Sequence, residues 1–103
     1  MVVIGADLVE AYFRDHVGHR GIKTARAQYE AWLAIAARAR WRNPEEVKAS
    51  HPRASILKCG RVVFNIKGND FRLVAALHYA AGVLAIRFFG THADYDEIRA
   101  EDV

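Results

Sequence analysis

The chain of 103 residues is 52% hydrophobic and 26% charged, which predicts one globular domain over residues 1–103 and excludes extensive disorder. Its single cysteine, Cys59, excludes an internal disulfide and a cysteine-based zinc site, and with no secretory signal or bilayer-length apolar run we expect a cytoplasmic protein. The formal net charge of +3 divides into 14 basic and seven acidic residues over 1–90 and one basic and five acidic residues over 91–103, a distribution that favours an anionic partner such as nucleic acid.

The first half of the chain predicts one strand and three helices. The apolar run at residues 2–4 is typical of an edge strand. Apolar side chains at three- and four-residue spacing then predict helices over residues 7–16 and 22–40, which we expect to pack as a hairpin. Asn43 is a typical N-cap for a third, short helix, which Pro52 ends.

The second half changes to the two-residue period of β-strands. Alternating apolar and polar residues predict strands over residues 61–67, 71–79 and 83–90, with Phe88 of the last strand buried against the helices. Thr91 then caps a short C-terminal helix. The element order β-α-α-(α)-β-β-β-α predicts an α+β domain whose helices pack on one face of a small antiparallel sheet.

The predicted turns decide which side chains are neighbours on this sheet. Two-residue loops at residues 68–69 and 81–82 set the register. The predicted pairs include Asn65 with Arg72, Arg72 with Thr91, and Ala76 with Arg87. The face away from the helices then collects five polar side chains: Arg61, Asn65, Lys67, Arg72 and Arg87. We interpret this face as an anion-binding surface; the alternative is the ordinary polar outer face of an antiparallel sheet.

His92 is the residue best suited to chemistry at the edge of this face. A histidine exchanges a proton near neutral pH, and the free N–H groups at the start of a helix attract phosphate. Tyr95 follows on the same helical face, and His78 is a further candidate for RNA contact. His16 and His19 have a spacing seen in metal sites, but a glycine between them breaks the helix, so no metal site is predicted.

Three longer segments carry recognisable patterns. They are residues 41–48 (WRNPEEVK), 61–74 (RVVFNIKGNDFRLV) and 86–96 (IRFFGTHADYD). In these segments the chain resembles the HigB family of type II toxin–antitoxin systems, within the RelE-like superfamily, and the resemblance extends over about residues 8–98. Asp94 stands where the family more often has Glu, a difference that leaves the cap chemistry intact.

The resemblance implies a RelE-like fold and an mRNA interferase, which is an endoribonuclease that cuts translated mRNA in the ribosomal A site. It also implies a cognate antitoxin with a helix-turn-helix DNA-binding domain. The lack of a bilayer-length apolar run separately predicts no membrane partner. The residues that the resemblance implies for the site coincide with those chosen from the sheet register and the histidine: Asn65, Lys67, Arg72, Arg87, His92 and Tyr95.

The hypothesis that follows is metal-independent and cofactor-independent attack of an RNA 2′-hydroxyl on the adjacent phosphate. The predicted catalytic residues are His92, Tyr95, Arg72 and Arg87. The predicted RNA-contacting residues are Arg61, Asn65, Lys67 and His78. In this hypothesis His92 transfers a proton, and the two catalytic arginines stabilise the charge that develops on the phosphate.

Three alternatives remain open at this point. A toxin of the same fold can act by binding a protein instead of cutting RNA, as gyrase-inhibiting relatives do. A non-catalytic RNA-binding module would use the same basic face, with steep salt dependence and no cleavage. A helical adaptor would instead use the alanine-rich helix pair as a protein interface.

Overall fold

Four helices and five strands follow one another in the computed structural model, which describes residues 1–103. The strands are β1 (Val2–Ile4), β2 (Ser55–Ile56), β3 (Arg61–Ile66), β4 (Phe71–His78) and β5 (Val83–Thr91). The helices are α1 (Ala6–Asp15), α2 (Ile22–Arg38), α3 (Pro44–Ser50) and α4 (His92–Asp96). None of these helices is both long enough and apolar enough to cross a membrane.

The five strands form one sheet in the order β1-β5-β4-β3-β2. This arrangement confirms the predicted α+β class and the predicted succession of the main elements. The sheet differs from the prediction in two details. The short strand β2 extends it at one edge, and β1 pairs in parallel with β5 at the other, so the sheet is mixed rather than wholly antiparallel.

The main core lies between this sheet and the helices α1 and α2. Helix α2 buries a stripe at three- and four-residue spacing: Ile22, Ala25, Tyr29, Trp32 and Ala36. These side chains pack with the buried residues of the central strands, among them Phe64 of β3 and Leu73 of β4. The helix ends at Arg38 because the next residue, Ala39, has an extended backbone. The periodicity of the sequence therefore identified the buried side of α2 correctly.

The predicted register of β3 and β4 is confirmed. Asn65 pairs with Arg72, and Val63 pairs with Val74. The turn between the strands is local, with the Asp70 N–H donating to the Lys67 carbonyl oxygen at 3.1 Å. Because the loop is short, its length alone determined the pairing.

The predicted register of β4 and β5 is wrong for two reasons: the turn is longer than predicted, and a β-bulge interrupts the pairing between Val74 and Ala75. His78 pairs with Val83, and the turn covers residues 79–82 instead of residues 81–82. Ala76 pairs with Ala85, while Arg87 has no partner on β4, and Arg72 pairs with Gly90 instead of Thr91. The extra residue on β5 is what a bulge introduces.

Because of the bulge, the phenylalanine buried against the helices is not the one that was predicted. Phe89 is only 4% exposed and belongs to the main core. Phe88, which was predicted to be buried there, is partly buried and packs on the opposite face of the sheet. The bulge thus lets Ile86 and Phe89 both face the helices while Arg87 stays exposed.

The prediction of an open polar surface on the face away from α1 and α2 is wrong for the middle of that face, which is covered. A second, smaller cluster there contains Val63, Val74 and Ala100, all buried. The partly buried side chains that pack against it are Leu57, Phe88, Tyr95, Ile98 and Val103. Residues 92–103, the acidic end of the chain, therefore lie across this face as packed structure.

We expect Phe89→Ala to lower the free energy of unfolding by about 3–5 kcal/mol, since it empties a buried aromatic position. The matched change Phe88→Ala should cost less, because that side chain is only partly buried. Chemical denaturation of both variants measures the difference. A larger loss for Phe88→Ala would contradict the bulge and favour the simpler register.

Candidate functional site

The candidate site begins with a row of three residues across the central strands. Asn65 of β3 lies opposite Arg72 of β4, which lies opposite Gly90 of β5. Side chains directly opposite each other on neighbouring strands are separated by only about 4.5–5.5 Å at their Cβ atoms. The amide of Asn65 and the guanidinium of Arg72 therefore project from adjacent positions on the same face.

Gly90 allows α4 to fold closely over the end of β5. A Cβ atom at this position would lie 2.9 Å from the Phe88 ring and 3.1 Å from the Asp94 side chain. The first separation is shorter than real Cβ contacts, and the second is tighter than most of them. The absence of a side chain at residue 90 therefore sets how near α4 comes to the strand.

Two sets of hydrogen bonds position His92 at the start of α4. Thr91 and Asp94 form the predicted capping box, each side chain accepting a hydrogen bond from the other residue's backbone N–H at 3.1 Å. The backbone N–H of His92 donates to the carbonyl oxygen of Asp70 at 3.0 Å. The second bond ties the start of α4 to the β3–β4 turn, close to Lys67 and Arg72.

The imidazole of His92 is paired with a carboxylate on its own helix. Nδ1 of His92 lies 3.1 Å from Oδ2 of Asp96, and the histidine side chain is 52% exposed. An ionised carboxylate can only accept hydrogen bonds, so this contact puts a proton on Nδ1 and leaves Nε2 to exchange a proton with a ligand. Asp96 was not among the site residues predicted from the sequence, although its four-residue spacing from His92 was a usable signal.

Two of the predicted site arginines have no carboxylate partner. Arg72 donates from one terminal nitrogen to the carbonyl oxygens of Asn69 and Phe71, at 2.9 and 3.2 Å. Arg87 lies exposed in the bulge of β5. Neither forms an ion pair, so their charges remain available to an external anion. Lys67 differs, because its ammonium group binds the Asp70 carboxylate at 2.7 Å.

Tyr95 takes part in packing as well as flanking the site. It is half-buried, and its ring centroid lies 6.5 Å from that of Phe88. It follows His92 by three residues, so the two side chains share one side of α4.

Arg61 and His78 lie away from this group. Arg61 donates two hydrogen bonds to the Val103 carbonyl oxygen, at 3.0 and 2.7 Å. His78 ends β4, six residues beyond Arg72, which corresponds to about 20 Å along an extended strand. The structure thus brings Asn65, Lys67, Arg72 and His92 to one end of the sheet, and the RNA-contacting roles of Arg61 and His78 stay predictions.

A cavity beside Asn65 was not anticipated from the sequence. It has a volume of about 370 Å³, and His51, Arg53 and Gly68 contribute to its wall. His51 directly follows α3 and precedes Pro52. The rings of Trp41 and Phe64 pack against the imidazole, with centroid distances of 5.6 and 5.2 Å. Because these residues are distant in the sequence, no local pattern predicts the contacts.

No group of three or more histidine, cysteine, aspartate or glutamate side chains is arranged to hold a metal ion. The rings of His16 and His19 lie 4.9 Å apart and nearly perpendicular. His16 uses its Nδ1 in a hydrogen bond with the Tyr12 carbonyl oxygen at 2.7 Å.

Comparison with known proteins identifies one family. A family model described as HigB_toxin, a RelE-like toxic component of a toxin–antitoxin system, matches residues 25–98. The matched region is well over half of the chain, and it contains all three segments on which the resemblance was based. The match therefore confirms that resemblance. No curated protein matches the chain.

The burial of His51 predicts a pH-dependent contribution to stability. Burial lowers the pKa of this imidazole from its ordinary value of 6.5. The unfolded chain therefore takes up the proton first on acidification, so stability present at neutral pH is lost as the pH falls below about 6.5. We expect His51→Phe to lose less thermal stability than the wild type between about pH 7 and about pH 5.

Thermal unfolding followed by circular dichroism at several pH values measures this difference. His78→Phe is the matched control, because His78 is exposed at the end of β4. This control should keep the wild-type slope. An unchanged slope in His51→Phe would contradict the assigned cause.

Proposed function

The chain belongs to the HigB family of RelE-like toxins, the toxic components of toxin–antitoxin systems, and we propose that it is an endoribonuclease that cuts mRNA on the ribosome. The observation that carries the proposal is the exposed His92–Asp96 pair at the end of the sheet where Arg72 has no carboxylate partner. This arrangement combines a proton-transfer group with an anion-binding surface. RNA phosphodiester cleavage needs both.

The proposed reaction is an internal displacement within the RNA. A base removes the proton from a ribose 2′-hydroxyl, and the resulting oxygen attacks the adjacent phosphorus. The new 2′-oxygen–phosphorus bond forms as the bond from phosphorus to the 5′-oxygen breaks. An acid protonates that leaving oxygen, and the products are a 2′,3′-cyclic phosphate and a 5′-hydroxyl end. All of the groups required are side chains, so the route needs no metal ion.

His92 acts as the proton-transfer group in this proposal. The Asp96 carboxylate holds Nδ1, so the exchanging nitrogen is Nε2 on the exposed side of the ring. Arg72 and Arg87 stabilise the negative charge on the phosphorus oxygens, which is greatest in the transition state. Asn65, Lys67 and Tyr95 position the RNA. The Lys67–Asp70 ion pair makes Lys67 a weaker candidate for proton transfer than for positioning.

Presentation of the RNA by the ribosome fits the openness of this surface. The His92 and Asp96 side chains are 52% and 60% exposed, and α4 has only five residues. A site this open does little to orient a flexible strand, and orientation is a large part of catalysis. We therefore propose that mRNA in the ribosomal A site is the substrate and that the protein acts in the cytoplasm. The toxin–antitoxin family implies an antitoxin partner, which we propose carries a helix-turn-helix domain.

His92→Ala should reduce mRNA cleavage by at least about a hundredfold, because a positioned acid or base typically contributes a factor of that order. The measurement is 5′-end mapping of an mRNA in a reconstituted translation reaction. His19→Ala, which removes another exposed histidine, should cleave like the wild type. Undiminished cleavage by His92→Ala would remove His92 from the mechanism.

The same assay separates the enzyme from a binding module. A module that only binds RNA would give salt-sensitive RNA affinity and no new 5′ ends in the wild type. That result would overturn the proposed activity while leaving the family membership intact.

Asp96→Asn should give a smaller loss of cleavage than His92→Ala. The amide keeps the shape of the carboxylate but loses the charge that holds the proton on Nδ1. Asp102→Asn makes the same charge change in the C-terminal segment, where Asp102 pairs with Arg99, and it should leave cleavage unchanged. Equal rates for the two variants would show that Asp96 does not orient His92.

A further inference from the structure

We propose that the cavity between the α3–β2 loop and the β3–β4 hairpin is a nucleobase subsite, where His51 and Asn65 contact an RNA base near the cleaved phosphate. The inference rests on the proposed function, because it names how the same substrate is selected. It assigns a role to a histidine that the reaction itself does not use.

The cavity has the size and the position that such a subsite requires. Its volume of about 370 Å³ falls within the roughly 300–1,000 Å³ typical of small-ligand pockets. Asn65 is shared between the cavity wall and the row that contains Arg72. A strand of RNA whose phosphate reaches Arg72 therefore has a neighbouring nucleotide within reach of the cavity.

His51 is chemically suited to an uncharged ligand. Its ring is held edge-on by Trp41 and Phe64, with interplanar angles of 81° to both. Burial lowers its pKa, so the imidazole is neutral at pH 7 and has one donor and one acceptor. Nucleobase edges also combine donors with acceptors, whereas a phosphate offers acceptors only.

One atom of this imidazole is left without a partner. Nδ1 of His51 is buried and makes no hydrogen bond in the protein. Buried polar atoms are nearly always satisfied, and an exception needs a reason. In the proposed complex a base supplies this partner, with the imidazole turned over so that its plane keeps its edge-on contacts with Trp41 and Phe64.

The remaining wall residues fit RNA. The Asn65 amide carries both a donor and an acceptor, a combination that can bond two atoms of one base edge. Arg53 is exposed and forms no ion pair, and no carboxylate lines the cavity. We therefore place the base inside the cavity and its phosphate near Arg53, which adds affinity without sequence selection.

The test combines two measurements on the full chain. The first is an NMR titration of the wild type with the four nucleoside 5′-monophosphates, followed at the His51 imidazole and the Asn65 amide. The second is 5′-end mapping of cleaved mRNA for the wild type, His51→Phe and the control His19→Phe. Phenylalanine keeps an aromatic ring between Trp41 and Phe64 but cannot form hydrogen bonds.

We expect at least one nucleotide to shift the signals of His51 and Asn65, and His51→Phe to abolish the shift at Asn65. We also expect His51→Phe to broaden the base preference at one position by about tenfold, the effect of losing one base contact of about 1.4 kcal/mol. His19→Phe should keep the wild-type cleavage pattern.

If the wild type cleaves mRNA, two results would overturn the subsite and leave the proposed enzyme standing. One is an unchanged cleavage pattern in His51→Phe, and the other is the absence of nucleotide-induced shifts at His51 in the wild type. Absence of wild-type cleavage would overturn the proposed enzyme, and the titration would then decide the subsite alone. If His51→Phe does not fold, Arg53→Gln replaces it in the titration, and it should weaken nucleotide binding. Unchanged binding by that variant would contradict the inference.

Discussion

The arrangement of the candidate site depends on one irregularity, the β-bulge that leaves Arg87 unpaired on β5. The bulge reverses which side chains of β5 face the helices beyond it. As a result Phe89 lies in the main core and Phe88 packs against the second cluster. It also sets Gly90 opposite Arg72, and α4 begins two residues later. Without the extra residue, His92 would start from a different position relative to Arg72.

The bulge is held by packing from several parts of the chain. The Phe89 ring contacts the aromatic rings of Tyr12, Phe13, Tyr29 and Phe71, at centroid distances of 5.1 to 6.1 Å. Two helices and a strand supply these rings. A register without the bulge would turn Phe89 to the other face of the sheet and remove it from that cluster. The stability of the helical layer and the position of the site are therefore linked through one side chain.

The features that depended on neighbouring residues could be predicted from the sequence. The β3–β4 register followed from a short turn, and the caps at Asn43 and Thr91 followed from local side-chain chemistry. The β4–β5 register could not be predicted, because it depends on a four-residue turn where two residues were expected and on a bulge held by rings distant in the sequence from Phe89. The C-terminal segment that contains Ile98, Ala100 and Val103 covers Val63 and Val74. This packing could not be predicted, because acidic residues lie between those apolar ones and are typical of a solvated segment.

The five-residue helix α4 has a further consequence for the molecule. A helix this short is not stable by itself, so it persists through the capping box and its contacts with β4 and β5. The segment that carries His92 can therefore open while the main core remains folded. Heating should therefore detach α4 before the main core unfolds, so the geometry around His92 and the stability of the fold are separate thermodynamic quantities.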